Sequence, residues 1–290
     1  MKRILITGTS SGFGFDASKY LAEQGHHVYA TMRNTDGKNA EAATALKTFA
    51  EENNVTIDVL ELDVLSDESI KAALAQTAGV DVLINNAGSG FGGPIEAFSG
   101  DDVLAQLDIN IAGTVRTANA VLPGMRAQGS GLIIQVSSTA GRAAFPGFGV
   151  YNASKWGLEG LSEAMRYELA PLGIDVVLVE PGPFKTSFFG NMTPPSNPEA
   201  AAAYQHVQEF GEGFTNQVLD LFENTPEATD PMIVVKDFEK LINMEPGTRP
   251  LRTISGLDFG LQAVNDAVEP IRKASLEGFG IPDWDGPKSN

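Results

Sequence analysis

The chain has 290 residues, enough for one large α/β domain with a well-buried core. Its formal charge of -17 argues against a nucleic-acid partner, because such binding depends on clustered Lys and Arg. The sequence contains no cysteine and only three scattered histidines, so disulfide and thiolate chemistry are excluded and no metal site is predicted. The apolar run at the N-terminus is too short for a signal peptide or a membrane span, which predicts a cytoplasmic protein.

Short apolar runs alternate with longer helical patterns along most of the chain. Strands are predicted at 3–7, 27–32, 56–62, 80–85, 131–138, 175–180 and 251–254. Helices are predicted at 13–24, 39–52, 67–76, 101–128, 150–172, 199–222, 230–242 and 258–275. Strands that alternate with helices in this way form right-handed crossovers and a parallel sheet covered on both faces. The predicted fold is therefore α/β, a single Rossmann-like doubly wound sheet.

The alternation stops after Pro181-Gly182-Pro183, where a proline-rich loop and two helical patterns follow. Residues of about 187–248 are predicted to form a helical insertion over the carboxyl edge of the sheet, where doubly wound proteins bind ligands. We interpret this insertion as a substrate lid. The whole chain, 1–290, is expected to be one domain, with a Gly/Pro-rich tail at about 278–290 that is either loose or docked on the surface.

A glycine-rich turn follows the first strand and opens a helix. In this context glycines let backbone N–H groups and the helix N-terminus approach a pyrophosphate. A second cluster at 88–93 is equally rich in glycine and could be only a flexible loop, so the position after a strand is what makes the first cluster informative. The predicted cofactor-binding residues of this turn are Gly8, Ser10, Ser11, Gly12, Phe13 and Gly14.

The end of the second strand indicates which dinucleotide would bind. An acid that binds the adenosine ribose lies about 20 residues past the glycines in NAD-binding folds, but here Met32 and Arg33 occupy that place. The Arg33 guanidinium can pair with the 2′-phosphate that distinguishes NADP from NAD. The alternative is a solvated loop arginine. We predict NADP(H) as the cofactor.

Tyr151 and Lys155 are four residues apart in a predicted helix, so their side chains leave the same face. A neighbouring ammonium favours phenolate and is expected to lower the pKa of Tyr151 toward working pH, where the phenol serves as a general acid or base. Ser138 ends a predicted buried strand, and its hydroxyl could hydrogen-bond a substrate oxygen. Each of the three residues could instead be structural, as a packed tyrosine, a solvated lysine and a strand-end serine.

Together these residues resemble the classical short-chain dehydrogenase/reductase family from the first strand to about Phe189. The ordered matches are Thr7-Gly8-x-x-x-Gly12-x-Gly14, Asp63-Val64, Asn85-Asn86-Ala87-Gly88, Asn110, Ser138, Tyr151-x-x-x-Lys155 and Pro181-Gly182-x-x-x-Thr186. The resemblance implies that Asp63 binds the adenine, that Asn86, Ala87 and Gly88 shape the adenosine pocket, and that Thr186 reaches the nicotinamide carboxamide. It also implies that Asn110 holds a water linking Lys155 to solvent, and that Lys155 binds the nicotinamide ribose.

Two positions depart from the family pattern: Phe13 replaces the usual aliphatic residue, and Trp156 is bulkier than the common residue after the lysine. A looser similarity to the hydroxysteroid and retinol dehydrogenase branch lies in the runs 28–34 and 252–256. This branch implies a lipophilic ketone or secondary alcohol as substrate. Aromatic residues in loops after strands could line an apolar pocket or could be packing, namely Phe91, Phe145, Phe148, Phe184, Phe188 and Phe189.

The predicted function is thus hydride transfer between NADP(H) and a ketone, aldehyde or secondary alcohol. One alternative is a non-catalytic NADP-binding sensor that keeps the fold. A remote alternative is a serine hydrolase, because Gly8-Thr9-Ser10-Ser11-Gly12 fits a nucleophile elbow and His206 lies downstream. By resemblance to the family, the long helices at 101–128 and 150–172 imply a homodimer or homotetramer.

Overall fold

Seven parallel strands form one sheet in the computed structural model, which describes residues 1–288. The strands in chain order are β1 (Arg3–Thr7), β2 (His27–Met32), β3 (Ile57–Glu61), β4 (Val82–Asn85), β5 (Gly131–Val136), β6 (Ile174–Pro181) and β7 (Arg252–Ser255). Their order across the sheet is β3-β2-β1-β4-β5-β6-β7. Because β1 pairs with both β2 and β4, the winding direction reverses between β1 and β4. The predicted doubly wound fold is confirmed.

Helices cover both faces of the sheet. They are α1 (Gly12–Glu23), α2 (Ala40–Asn53), α3 (Asp67–Leu74), α4 (Gly100–Leu107), α5 (Gly113–Gln128), α6 (Gly149–Leu169), α7 (Pro198–Ala202), α8 (Gln205–Asn224), α9 (Met232–Asn243) and α10 (Gln262–Gly278). Successive residues of a strand point to opposite faces, so Ile4 and Ile6 pack with α1, α2 and α9, while Leu5 packs with α3 and α5. Two apolar layers therefore enclose the sheet.

One long helix predicted at 101–128 is divided by a π-helical turn over Asp108–Ala112. At this turn the buried Asn110 side chain donates to the Ser89 carbonyl oxygen at 3.0 Å, away from the helix. Such π-bulges insert an extra residue and occur mostly at functional sites. Sequence periodicity missed the interruption because both halves keep a helical pattern.

The segment after β6 crosses the carboxyl edge of the sheet. The predicted helix at 199–222 is two helices, α7 and α8, separated by Ala203 and Tyr204. Most of α8 is exposed, whereas α9 returns to the core with Val234, Val235 and Phe238 fully buried. Only the part before α9 therefore lies over the sheet edge as a cover.

The chain beyond α10 contacts the body of the domain through Asp285. Its carboxylate accepts hydrogen bonds from Arg166 Nε at 2.8 Å and from Arg272 Nη2 at 2.7 Å. Both arginine side chains are buried. Within residues 1–288, no helix is long and apolar enough to cross a membrane.

Candidate active site

A cavity of about 840 Å³ lies at the carboxyl edge of the sheet, beside the point where the strand order reverses. Such switch points are the usual ligand sites of doubly wound sheets, and the volume suits a ligand of cofactor size. All predicted site residues line the cavity except Gly14 and Asn110, which lie behind its wall. The structure thus brings residues from the first to the sixth strand into one continuous site.

The glycine turn is closed tightly against the loop after β4. Asn86 donates from Nδ2 to the carbonyl oxygens of Thr7 and Gly8 at 2.9 and 3.0 Å. A Cβ at Gly14 would lie 2.5 Å from the Gly8 carbonyl oxygen and 2.6 Å from Asn86 Nδ2, so only glycine fits there. Gly12 has a positive φ of 58°, which favours glycine as well.

This turn can accept a phosphate group. Ser11 precedes α1, but its side chain accepts no capping hydrogen bond from the helix. The positive end of α1 is therefore not occupied by its own cap, and Ser10, Ser11 and Gly12 line the cavity beside it. This arrangement fits the pyrophosphate of a dinucleotide.

The two ends of the cavity differ in chemistry. At one end lie Arg33, Lys38 and Asp63, at the ends of β2 and β3 and the start of α2. Asp63 also accepts a backbone hydrogen bond from Leu65 at 3.0 Å, which fixes the turn after β3. At the other end lie Tyr151 and Lys155 of α6. A dinucleotide would fit with its adenosine beside Arg33, Lys38 and Asp63 and its reactive ring beside Tyr151 and Lys155. We call these two parts of the cavity the adenosine end and the reactive end.

At the reactive end, Tyr151 and Lys155 are each only 7% exposed. Lys155 Nζ donates to the Val136 carbonyl oxygen at 2.8 Å and lies 5.8 Å from the centroid of the Tyr151 ring. The Ser138 hydroxyl lies close enough to the Tyr151 phenol to act on the pKa of that phenol. The three predicted side chains therefore converge on one small region of the cavity wall.

The expected lowering of the Tyr151 pKa is not found in this structure. Burial raises the pKa of Tyr151 to about 12, and the nearby Ser138 hydroxyl only partly opposes this change. Burial also lowers the pKa of Lys155 to about 8, although the neighbouring Glu159 acts in the opposite direction. Removing water destabilises both the Tyr151 phenolate and the Lys155 ammonium. This cost outweighs the attraction between the two charges that was expected from their four-residue spacing.

Asn110 positions neighbouring groups instead of facing the cavity. Its Nδ2 donates to Ser154 Oγ at 2.9 Å and to the Ser89 carbonyl oxygen, while its Oδ1 accepts from the Ser89 backbone N–H at 3.1 Å. Ser154 belongs to α6, one residue before Lys155. Asn110 therefore joins the loop after β4 to the catalytic helix, and a water held by Asn110 stays a prediction.

The loop after β6 covers the glycine turn. The hydroxyls of Ser187 and Ser11 are 3.3 Å apart, and Thr186 lies directly beside Gly12, where a Cβ on the glycine would be 3.6 Å from Thr186 Cγ2. Phe13 packs edge-to-face on Phe184 with ring centroids 5.4 Å apart. The unusual phenylalanine in the glycine turn thus has a partner within the same covering loop.

Aromatic rings close the reactive end. The Phe188 ring lies 5.3 Å from the Tyr151 ring, and Phe214 of α8 lies within 6.4 Å of the rings of Phe145, Phe148 and Phe189. All six predicted pocket phenylalanines line the cavity. Sequence reasoning missed Phe214, and it also missed Lys38 and Ser154. Ser154 lies inside the Tyr-x-x-x-Lys run, so its position was the available signal.

A second group of buried ionisable residues lies behind Lys155. Arg252 Nε is 2.8 Å from Glu159 and 3.7 Å from Glu180, whose side chain is fully buried. Burial and the nearby Glu159 raise the pKa of Glu180 to about 8. Asn265 donates to Glu180 at 2.5 Å. Burial beside a second acid therefore disfavours the charged form of Glu180.

Comparisons with known proteins agree with this site. Residues 2–197 match the family model described as short chain dehydrogenase. A 3-ketodihydrosphingosine reductase of Bacteroides thetaiotaomicron is 41% identical over 192 residues, which are 65% of this chain and 66% of that protein. Human 17-beta-hydroxysteroid dehydrogenase type 1 is 43% identical over 192 residues, 64% of this chain and 57% of that protein. The matches therefore span less than two thirds of the length of these two relatives.

Among solved structures, the closed form of a serine dehydrogenase complexed with NADP⁺ superposes with a TM-score of 0.70 at 26% identity. The superposition covers 87% of this chain and 93% of that one. The fold, the ordered motifs and the relatives confirm the resemblance to the family and to its hydroxysteroid dehydrogenase branch. The chain belongs to the short-chain dehydrogenase family of oxidoreductases.

Proposed function

We propose that the protein is an NADP(H)-dependent oxidoreductase that interconverts an apolar ketone or aldehyde and the corresponding alcohol. The observation that carries the proposal is that Ser138, Tyr151 and Lys155 lie together on the wall of the same cavity as the glycine turn, with Lys155 Nζ 5.8 Å from the centroid of the Tyr151 ring. Two neighbouring hydroxyls that face one cavity can both hydrogen-bond the oxygen of one carbonyl group. Such an arrangement next to a dinucleotide suits hydride transfer to a carbonyl group.

When bound, the nicotinamide supplies a hydride to the carbonyl carbon. Ser138 and Tyr151 would hydrogen-bond the carbonyl oxygen and stabilise the negative charge that develops on it. Tyr151 would then donate its phenolic proton to that oxygen, which completes the alcohol. Lys155 would hold a positive charge beside the resulting phenolate, and Asn110 would keep α6 in place through Ser154. In the reverse direction the Tyr151 phenolate would accept the hydroxyl proton of the alcohol, and the hydride would pass to the oxidised nicotinamide.

Arg33 supports NADP(H) over NAD(H). It lines the cavity at the end of β2, where an NAD-selecting carboxylate would otherwise lie. The serine dehydrogenase structure described above contains NADP⁺. Gly8, Ser10, Ser11, Gly12 and Phe13 would hold the pyrophosphate. The predicted roles of Asp63, Val64, Asn86, Ala87 and Gly88 near the adenosine, and of Pro181, Gly182 and Thr186 near the nicotinamide, are part of the proposal.

The lining of the reactive end supports an apolar substrate. The described residues that line the cavity include four charged ones, Arg33, Lys38, Asp63 and Lys155. None of these four lies in the segments that carry the lining phenylalanines near Tyr151. A carboxylate or phosphate on the substrate would meet no additional cation there. The two relatives described above, a 3-ketodihydrosphingosine reductase and a 17-beta-hydroxysteroid dehydrogenase, support the same substrate class.

The decisive experiment compares wild type with Tyr151→Phe. NADPH absorbance would be followed with a panel of aldehydes, aryl ketones, keto-steroids and retinal. We expect turnover by wild type and a loss of about 10²- to 10⁴-fold in the variant, with NADPH binding retained. Tyr167→Phe is the matched control, since Tyr167 lies on the same helix outside the cavity and burial also raises its pKa to about 12. Comparable turnover in Tyr151→Phe would refute the assignment.

The sensor alternative predicts NADPH binding without turnover of any panel member. The hydrolase alternative lacks a partner for Ser10, because His206 does not line the cavity in the described part of the chain. A homodimer or homotetramer and a cytoplasmic location stay predictions.

A further inference from the structure

The loop between β2 and α2 carries the two cations at the adenosine end of the cavity. Arg33 begins this loop and Lys38 lies near its end, and both line the cavity. A loop residue is usually mobile unless its backbone is fixed by hydrogen bonds. The placement of both charges therefore depends on what holds this loop.

Glu61, the last residue of β3, holds the loop between β2 and α2 in place. Its two carboxylate oxygens accept from the Asn34 backbone N–H at 2.6 Å, from the Thr35 backbone N–H at 2.7 Å and from the Thr35 hydroxyl at 2.7 Å. These bonds lower the pKa of Glu61 although burial acts to raise it. Asn34 has a positive φ of 54°, so the loop turns sharply immediately after Arg33. Glu61 itself does not line the cavity.

The far end of the loop is tied back to its start. Asn39 Nδ2 donates to the Arg33 carbonyl oxygen at 2.6 Å, and the Asn39 backbone N–H donates to the Asn34 carbonyl oxygen at 3.0 Å. Asn39 stands at the N-cap position of α2 but makes no side-chain capping bond to the helix. Its amide therefore closes the loop and brings the Lys38 end beside the Arg33 end.

Resting on the proposed use of NADP(H), we propose that Glu61 is a positioning residue for cofactor choice and that Lys38 is a second cation for the 2′-phosphate. The carboxylate of Glu61 is engaged by the three loop donors, so it braces the loop instead of repelling the phosphate. Arg33 supplies a planar guanidinium and Lys38 a compact ammonium. Both cations would contact the same phosphate monoester.

The test measures the dissociation constants of NADPH, NADH, 2′,5′-ADP and 5′-AMP by calorimetry. The variants are Glu61→Gln, which keeps the size of the side chain but removes its charge, and Lys38→Ala. Each should weaken NADPH and 2′,5′-ADP by about two- to five-fold while NADH and 5′-AMP change less than about two-fold. Lys47→Ala on α2 is the matched charge control, since Lys47 is exposed and lies outside the cavity lining.

The outcomes separate this inference from the proposed function. If wild type binds NADPH no better than NADH, the NADP(H) proposal fails and this inference fails with it. If wild type prefers NADPH and Arg33→Ala removes the preference, but Glu61→Gln and Lys38→Ala leave it intact, only this inference is overturned. Tighter NADPH binding by Glu61→Gln would also overturn it, because the carboxylate would then be repelling the phosphate. Thermal unfolding of each variant confirms that it is folded.

Discussion

Replacing Lys155 by Met should stabilise the protein at neutral pH while removing its activity. Burial lowers the pKa of Lys155 from its ordinary value of 10.5 to about 8, with Glu159 acting in the opposite direction. At a pH where the ammonium is charged, this lowered pKa corresponds to a loss of about 3 kcal/mol in the free energy of unfolding. Losing the hydrogen bond to the Val136 carbonyl oxygen costs about 1 kcal/mol. The expected net gain in the free energy of unfolding is about 2 kcal/mol at pH 7.

The sign of the pH dependence follows from the two pKa values. Because the native pKa of Lys155 lies below the unfolded one, the unfolded chain binds more protons between pH 8 and 10.5. Wild-type stability therefore gains from this group as pH rises through that window. The advantage of Lys155→Met should be largest below pH 8 and should shrink toward pH 10.5.

Urea unfolding followed by tryptophan fluorescence at pH 7 and about pH 9.5 measures this difference by linear extrapolation. Lys47→Met, an exposed substitution on α2, is the control and should show no such pH-dependent gain. A Lys155→Met protein that is less stable than wild type at pH 7, or a difference that does not change with pH, would refute the reasoning.

Three further predictions concern single side chains. Gly14→Ala should cost about 1–3 kcal/mol of stability and weaken NADPH binding, because its Cβ would lie 2.5 Å from the Gly8 carbonyl oxygen. The stability gained by Glu180→Gln should grow as pH rises from about 4.5 through 8. In that window the folded wild type binds a proton at Glu180 more tightly than the unfolded chain does, so its free energy of unfolding falls as pH rises, whereas the glutamine does not titrate. Asp285→Asn should cost about 2–3 kcal/mol at neutral pH because two buried guanidiniums lose a charged partner, and the cost should shrink in acid. Burial acts to raise the pKa of Asp285, but its arginine partners hold it below the usual value, so the stability from this group is present above that value and lost as pH falls.

Matched variants separate these effects from general damage. Gly124→Ala adds a Cβ that meets no atom within 4 Å and should leave NADPH affinity unchanged. Glu168→Gln removes an exposed acid of α6 and should show no stability gain between pH 4.5 and 8. Asp283→Asn removes an exposed carboxylate two residues from Asp285 and should cost less than about 1 kcal/mol. Equal effects in a variant and its control would contradict the corresponding prediction. Differential cofactor binding and chemical denaturation provide the measurements.

The fold could be predicted because its signals are local. Buried parallel strands appear as short apolar runs, and the glycine turn after β1 already indicates a strand followed by a helix, as in dinucleotide-binding folds. The four-residue spacing of Tyr151 and Lys155 on α6 is likewise a property of helix geometry alone. These features need no knowledge of the rest of the chain.

The pKa values could not be predicted in the same way. Sequence spacing gives the neighbour of Tyr151, but the pKa also depends on how much water the surrounding fold removes from the phenol and the ammonium. That burial involves residues far apart in sequence, from β5 to the covering loop after β6. The pKa of Tyr151 consequently moves to about 12, opposite to the expected direction.

By itself, the sequence determined the parallel sheet, the glycine turn and the placement of Tyr151 and Lys155 on one helix face, since each depends on backbone periodicity or on spacing within one element. Only the tertiary structure decided that the Asn110 side chain reaches from a π-helical turn to the loop after β4. It also decided that the Phe214 ring packs on the aromatic residues beside Tyr151, and that the Glu61 carboxylate holds the loop that begins at Arg33. The physical reason is that each of these contacts joins distant segments, and their partners are fixed by packing of the whole chain.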